Sequence, residues 1–135
     1  MPRIPRVQYH ATRPENVEMV RRHGLLLPGD VRVDTHRYEI PSISTADDPK
    51  NACAYHPSGV VVVLKVRRGA KYIARSMASV RRGENLEDAV NRWLREASEH
   101  GASGVYVGSG LQSTIGNQTL DPSVLEIVDI VPCRG

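Results

Sequence analysis

The chain has 135 residues, the size of one domain, and we expect a single domain over residues 1–135. Apolar residues make up 40% of it, with five tyrosines, one tryptophan and no phenylalanine, which predicts a mainly aliphatic core and excludes global disorder. The first residues lack the apolar run of a signal peptide, and no stretch approaches the roughly 20 apolar residues of a membrane span. We therefore expect a cytoplasmic protein with no membrane partner.

The net charge is only +3, but the basic residues are unevenly distributed. A segment of one sign can attract an anionic partner such as a dinucleotide or a nucleic acid, although a solvated strand edge has the same composition. Such a segment, free of acids, spans residues 65–82 and contains Lys65, Arg67, Arg68, Lys71, Arg75, Arg81 and Arg82.

The two cysteines, Cys53 and Cys133, show neither the spacing of metal ligands nor that of a disulfide framework. We expect both to be buried free thiols, and we expect no metal site.

The N-terminal elements are short. Val7–His10 predicts a strand, and Thr12 with Glu15 three residues later matches a capping box that begins a helix. Gly24 is a typical helix end. Residues 29–41 mix charged residues, glycine and proline without periodicity, which is typical of a loop.

The middle of the chain alternates strands and a helix. Ile43–Thr45 predicts a short strand, and Asp48 followed by Pro49 predicts a helix start with an N-cap aspartate. We expect that helix to end near Gly59. The β-branched run Val60–Val66 predicts a strand buried on both faces.

The C-terminal half contains the clearest helix. Leu86, Ala89, Val90, Trp93, Leu94 and Ala97 recur at helical spacing, between Asn85 as N-cap and Gly101 as the end. Strands and separated helices together predict the α+β class with a mixed or mostly antiparallel sheet. The remaining predicted strands are Lys71–Ala74, Gly104–Val107, Asn117–Leu120 and Val124–Val131.

Three side chains suggest ligand chemistry. His10 ends a strand, where a neutral imidazole can bond a sugar hydroxyl, although a structural histidine fits equally. Tyr55, on the face of the second predicted helix that carries Ala52, offers a ring that can stack on an aromatic ligand or simply pack in the core. Gln118 lies in a polar segment, residues 103–121, whose glycines allow close approach of a ligand or form hairpin turns.

These residues belong to motifs that occur in a characteristic order. The chain resembles the ADP-ribosyltransferase superfamily, in the branch of the diphtheria-toxin-like and poly(ADP-ribose) polymerase domains, and it is similar to small transferase domains of bacterial toxins and phage proteins. The resemblance covers nearly the whole chain. The matching segments are His10-Ala11-Thr12, Ser44-Thr45-Ala46 with Tyr55, Gly101–Val105, Asn117-Gln118-Thr119 and Asp121–Leu125.

The resemblance implies a split, mixed or antiparallel β-sandwich with a few flanking helices. It also implies NAD as the substrate and His10, Tyr55 and Gln118 as catalytic residues. The residues that it implies in contact with NAD are His10, Ala11, Thr12, Ser44, Thr45 and Tyr55.

The chain departs from the family pattern at three positions. Ser44 replaces an aromatic residue, Ala52 replaces a serine, and Gln118 replaces the catalytic glutamate. A neutral amide can orient the ribose but cannot offset the positive charge that develops on it, and losing such a contact commonly costs ~10²–10³ in rate. The acids considered as substitutes are Asp121, Glu126 and Glu39.

The function predicted on these grounds is NAD-dependent mono-ADP-ribosyl transfer by a toxin, effector or defence protein. The acceptor would be a protein or a nucleic acid, contacted through residues 65–82. One alternative is a catalytically inactive module that binds NAD, ADP-ribose or nucleic acid. Another is an RNA 2′-phosphotransferase-like enzyme, because those enzymes share the His-x-Thr start and a serine-containing strand.

Overall fold

The computed structural model describes residues 3–25, 38–108, 111–112 and 114–133. No helix within these ranges is long and apolar enough to cross a membrane. Short 3₁₀ helices occur at Pro14–Asn16, Met77–Ser79 and Pro122–Val124. The strands and α-helices, in chain order, are β1 (Val7–Thr12), α1 (Val17–His23), β2 (Ile43–Thr45), α2 (Pro49–Cys53), β3 (Val60–Val66), β4 (Tyr72–Ala74), α3 (Leu86–Glu99), β5 (Gly104–Tyr106), β6 (Asn117–Thr119) and β7 (Leu125–Pro132).

The strands form two open sheets. One is antiparallel with the strand order β1-β3-β7, and the other has the order β2-β6-β5-β4, in which only β4 and β5 run parallel. With few helices beside them, this is a mixed α and β structure that agrees with the predicted α+β class.

The two sheets meet at a single backbone pair, among the described residues, between β1 and the end of β2. The Tyr9 N–H donates to the Ala46 carbonyl at 3.0 Å, and the Ala46 N–H donates back to the Tyr9 carbonyl at 2.9 Å. This pair places the C-terminal half of β1 beside β2.

Strand β3 is the centre of the three-stranded sheet. Its Val62 lies opposite His10 of β1 and Ile130 of β7. Val62 and Leu64 are fully buried, as the β-branched run predicts. The prediction that this strand is buried on both faces is wrong at Lys65, which is exposed.

Helix α3 covers the four-stranded sheet. Its Asn85 cap accepts a hydrogen bond from the Asp88 N–H at 2.8 Å, as predicted. The apolar stripe that includes Val90, Trp93 and Leu94 is buried against Val105 of β5. The single tryptophan, Trp93, is fully buried in this part of the core.

The predicted start of the first helix is wrong. Thr12 is the last residue of β1, paired with Val60, and Arg13 is the N-cap of the following 3₁₀ turn without a side-chain bond. The Thr12 hydroxyl instead accepts from the Asn16 side chain at 2.9 Å. Pairing of Thr12 within the strand therefore outweighs the local capping signal. The predicted helix end at Gly24 is confirmed.

The second helix is shorter than predicted. Its start is confirmed, because the Asp48 carboxylate accepts from the Asn51 N–H at 2.7 Å. It ends at Cys53, so Tyr55 lies in the turn that follows. Residues 29–37 of the predicted loop 29–41 lie outside the described residues.

The prediction of free thiols is wrong, because Cys53 and Cys133 form a disulfide. The two residues are 80 positions apart, so no local spacing could reveal the pair. The bond joins the end of α2 to the residue after β7. The Cys133 N–H also donates to the Gly59 carbonyl at 2.9 Å.

Gly104 is required by close packing between β5 and its neighbours. A Cβ at this position would overlap the Gln118 carbonyl oxygen and the ring of Tyr72. We therefore expect Gly104→Ala to lower the free energy of unfolding by about 1–3 kcal/mol, measured by urea denaturation. A loss below about 0.5 kcal/mol, the usual range of surface substitutions, would contradict the described packing.

Candidate functional site

Three of the residues predicted for the site come together where the sheets meet. Ser44 of β2 lies directly opposite Gln118 of β6 in the antiparallel register. The His10 Nδ1 atom, from β1, is 2.7 Å from the Ser44 carbonyl oxygen. His10, Ser44 and Gln118 therefore form one connected group, although they come from distant parts of the chain.

The contact with Ser44 determines the form of His10. A carbonyl oxygen can only accept, so Nδ1 carries the proton and Nε2 is the acceptor nitrogen of the neutral ring. Burial lowers the pKa of His10 below its usual value; the Ser44 bond opposes this, and the charge of His56 adds to it. At neutral pH the ring is thus uncharged, with an acceptor suited to a hydroxyl group.

Gln118 is fully buried, and both ends of its amide are bound within the protein. Its oxygen accepts from the Ser42 hydroxyl at 2.7 Å. Its nitrogen donates to the Ile115 carbonyl at 2.6 Å, and the Ser44 hydroxyl is 2.9 Å from that nitrogen. The side chain is therefore held rigidly, and it supplies no negative charge.

The other residues predicted from the first two motifs have structural contacts. Thr45 is buried, and its hydroxyl donates to the Gln8 side-chain oxygen at 2.7 Å. Ala11 packs against a small apolar cluster that includes Ala52 and Val61. These contacts explain Thr45 and Ala11 without a ligand.

Tyr55 is positioned by a contact at its hydroxyl. That hydroxyl donates to the Gln112 carbonyl at 3.0 Å, and the residue is 39% exposed. Ala52, in contrast, is buried, so the two residues do not share an environment as the helical spacing predicts. A partly exposed, anchored ring remains suited to stacking.

A buried polar network beside these residues was not predicted. The Gln8 nitrogen donates to the Asp47 carboxylate at 2.8 Å, and the Asn117 nitrogen donates to the Gln8 oxygen at 2.9 Å and to Asp47 at 3.0 Å. The Asp47 N–H donates to the Gln112 side chain at 2.6 Å. The only sequence signal is the polar Gln8 between two apolar residues of a strand, which does not reveal its partners.

Tyr106 completes this network from β5. Its hydroxyl donates to the Asp47 carboxylate at 3.2 Å. Burial raises the pKa of Tyr106, and the Asp47 charge raises it further. The hydroxyl therefore stays protonated and continues to donate at neutral pH.

The acids considered as substitutes for a catalytic glutamate have other contacts. Asp121 accepts from the Ser123 N–H at 3.0 Å as the cap of a 3₁₀ turn. Glu39 is exposed and pairs with Arg95 at 2.8 Å. Glu126 is exposed on β7 opposite Lys65. Each has a structural role or faces solvent, so these contacts do not support substitution.

The basic segment 65–82 does not form one unpaired surface. Arg75 pairs with Glu96 at 2.7 Å, and the Arg67 side chain donates to the Ser123 carbonyl at 2.8 Å. Lys65 belongs to the three-stranded sheet, whereas Lys71 immediately precedes β4 of the other sheet. The segment is therefore partly neutralised and is divided between the two sheets.

The lowered pKa of His10 predicts acid sensitivity. At pH values between the usual pKa of about 6.5 and the lower folded pKa, His10 binds more protons in the unfolded chain than in the folded one. The contribution of neutral His10 to stability is therefore complete above pH 6.5 and is lost as the pH falls through the folded pKa. Urea denaturation at several pH values between 7.5 and 5 should show this fall, and it should be smaller in His10→Asn. The exposed control His100→Asn should match the wild type. An equal loss of stability on acidification in the wild type and both variants would contradict the assignment of this pH dependence to His10.

The contacts of Gln118 predict the effect of restoring an acid. Gln118→Glu would place a carboxylate oxygen against the Ile115 carbonyl, which should cost about 2–4 kcal/mol of unfolding free energy at pH 7. The folded pKa of that acid would rise, so the loss should shrink towards pH 4, where the protonated acid can donate. Gln118→Met, which cannot titrate, should lose stability equally at both pH values. A pH-independent loss in Gln118→Glu would disprove this account.

No family model, curated protein or solved structure matches the chain. The resemblance to ADP-ribosyltransferases therefore rests on the motifs of the sequence and remains a prediction.

Proposed function

We propose that the chain is an NAD-dependent mono-ADP-ribosyltransferase acting on a protein or nucleic-acid acceptor. The proposal is based on the contacts between residues of three separate motifs. His10 and Ser44 are 34 positions apart, and Ser44 and Gln118 are 74 apart, yet each pair is in hydrogen-bond contact. Motifs that form one ligand site are expected to lie in contact in this way.

The arrangement of the sheets supports the proposed split β-sandwich of this family. Two separate sheets lie on either side of the Tyr9–Ala46 pair; Ala46 belongs to one motif segment, and Tyr9 immediately precedes another. A ligand bound beside this pair would contact the ends of β1 and β2, where the first two motifs lie.

His10 and Tyr55 would bind the dinucleotide. The Nε2 atom of His10 is an acceptor for a ribose hydroxyl, because Nδ1 is already committed to Ser44. The Tyr55 ring, anchored through its hydroxyl, would stack on nicotinamide. Thr12, at the end of β1, and the Ser44 hydroxyl, within β2, would contribute polar contacts.

The reaction would proceed through a cationic ribose. Nicotinamide leaves with the electron pair of the glycosidic bond, and an acceptor nucleophile then attacks the ribose carbon and gives up its proton. Gln118 would orient the ribose without offsetting its charge. We therefore expect turnover ~10²–10³ slower than with a carboxylate at this position.

A second candidate is a module that binds NAD or ADP-ribose without turnover. The contacts of Gln118 favour it, because a fully buried amide with protein partners at both ends would have to give up one of these hydrogen bonds to contact a reacting sugar. The two candidates share the ligand and differ only in the chemical step.

We expect the wild type to bind NAD, measured by calorimetry, and to release nicotinamide slowly, measured by chromatography. His10→Ala should weaken binding about tenfold or more, the effect of losing one buried hydrogen bond. Tyr55→Ala should weaken it more than Tyr55→Phe, which keeps the ring and loses only the anchor to Gln112. The exposed control His100→Ala should bind like the wild type.

The outcomes separate the candidates. NAD binding without nicotinamide release would select the binding module. Product formed from a 2′-phosphorylated RNA would select the RNA 2′-phosphotransferase. A wild type that shows none of these activities would refute the proposal.

A further inference from the structure

An open cavity of about 460 Å³ lies beside the disulfide, on the side of α2 and the end of β7. Both cysteines line it, together with Lys50 and apolar residues such as Val131. This volume is in the range of pockets that take small molecules. A reagent that enters the cavity therefore lies beside both cysteine residues.

The surroundings of the disulfide favour attack by a thiolate. Cys53 and Cys133 are both only partly buried. Lys50, an exposed lysine in the cavity lining, places positive charge near the entrance. A cation attracts the incoming thiolate and stabilises the thiolate that leaves, and both effects favour thiol–disulfide exchange.

The disulfide also holds the segment that carries Tyr55. Besides local backbone hydrogen bonds, three contacts join residues 53–59 to distant parts of the chain: the disulfide from Cys53, the hydrogen bond from the Cys133 N–H to Gly59 at 2.9 Å, and the Tyr55 contact with Gln112 at 3.0 Å. Two of these three restraints involve Cys133. Breaking the disulfide therefore removes one restraint and weakens a second.

We propose that the disulfide is a redox-controlled latch on residues 53–59, opened by a dithiol that enters the cavity. One thiolate of the dithiol attacks a cysteine sulfur, the S–S bond breaks, and the other cysteine leaves as a thiolate that takes up a proton. The second thiol then attacks the mixed disulfide and releases the first cysteine. The dithiol ends as a disulfide, and the protein gains two electrons and two protons.

The latch acts locally because the core lies elsewhere. Helix α2 has only five residues, too few to be stable without tertiary contacts. Helix α3 packs on the other sheet, in a different apolar cluster from the one that the cysteines pack against. Reduction should thus loosen residues 53–59 and leave α3 unchanged, so the segment would be latched in an oxidising compartment and released in a reducing one.

Amide hydrogen exchange of the whole chain tests the latch. Reduction with dithiothreitol should speed exchange in residues 53–59 at least about tenfold, leave residues 86–99 unchanged, and be reversed by reoxidation. A variant with both Cys53→Ser and Cys133→Ser should exchange like the reduced protein and not respond to dithiothreitol. Unchanged exchange in 53–59, or an equal rise in 86–99, would overturn the proposal.

The entry route has its own test. Lys50→Glu should slow reduction by dithiothreitol about two- to fivefold, since one exposed charge contributes an effect of this size. Titration of the released thiols measures the rate of reduction. Lys71→Glu, at an exposed lysine immediately before β4 of the other sheet, should leave the rate unchanged. Equal rates in all three proteins, or equal slowing in both variants, would overturn entry through the cavity.

An effect of reduction on NAD binding rests on the proposed function, because it requires Tyr55 to stack on the nucleotide. If reduction changes amide exchange while the oxidised wild type binds no NAD, the latch stands and the proposed function fails. If the oxidised wild type binds NAD and exchange in 53–59 does not change, the latch fails alone.

Discussion

The buried amide of Gln8 joins the two sheets, and the position of the candidate site depends on it. Its oxygen accepts from Thr45 of β2 and from Asn117 of β6, while its nitrogen donates to Asp47. Gln8 is fully buried, so any of these bonds left unmade would cost about 1–3 kcal/mol. Apolar packing alone tolerates small slips between sheets, whereas this set of directional bonds allows one alignment.

The same alignment positions the site. Thr45 pairs with Asn117, and the next pair along the ladder is Ser44 with Gln118. Successive pairs point to opposite faces of a sheet, so one face of the β2–β6 ladder holds the network around Gln8 and the other holds Ser44 and Gln118. His10, two residues after Gln8 on β1, then reaches the Ser44 carbonyl. A network with a purely structural role thus determines the geometry of the residues proposed to bind NAD.

Local patterns predicted the elements whose causes are local. The stripe through Trp93 and the Asn85 cap predicted α3, and Asp48 with Pro49 predicted the start of α2. Features that depend on tertiary partners could not be predicted in this way. Thr12 matches a capping pattern but is held in β1 by pairing with Val60, and Cys53 finds its partner only because the ends of α2 and β7 are adjacent in the fold. For the site, the resemblance assigned His10, Ser44 and Gln118 to one ligand site, but it predicted neither their direct contacts nor the enclosure of Gln118 by Ser42 and Ile115.

The central place of β3 has a consequence for how the chain is made. Its partners are β1, which precedes it, and β7, which begins only at Leu125. During synthesis β3 can pair with β1 early, but its other edge stays open until residues 125–132 leave the ribosome. An apolar strand with an open edge is the kind of surface that chaperones cover and that leads to aggregation. The nascent chain is therefore most exposed to misassembly in the interval between synthesis of β3 and of β7, and the disulfide can close only after that interval ends.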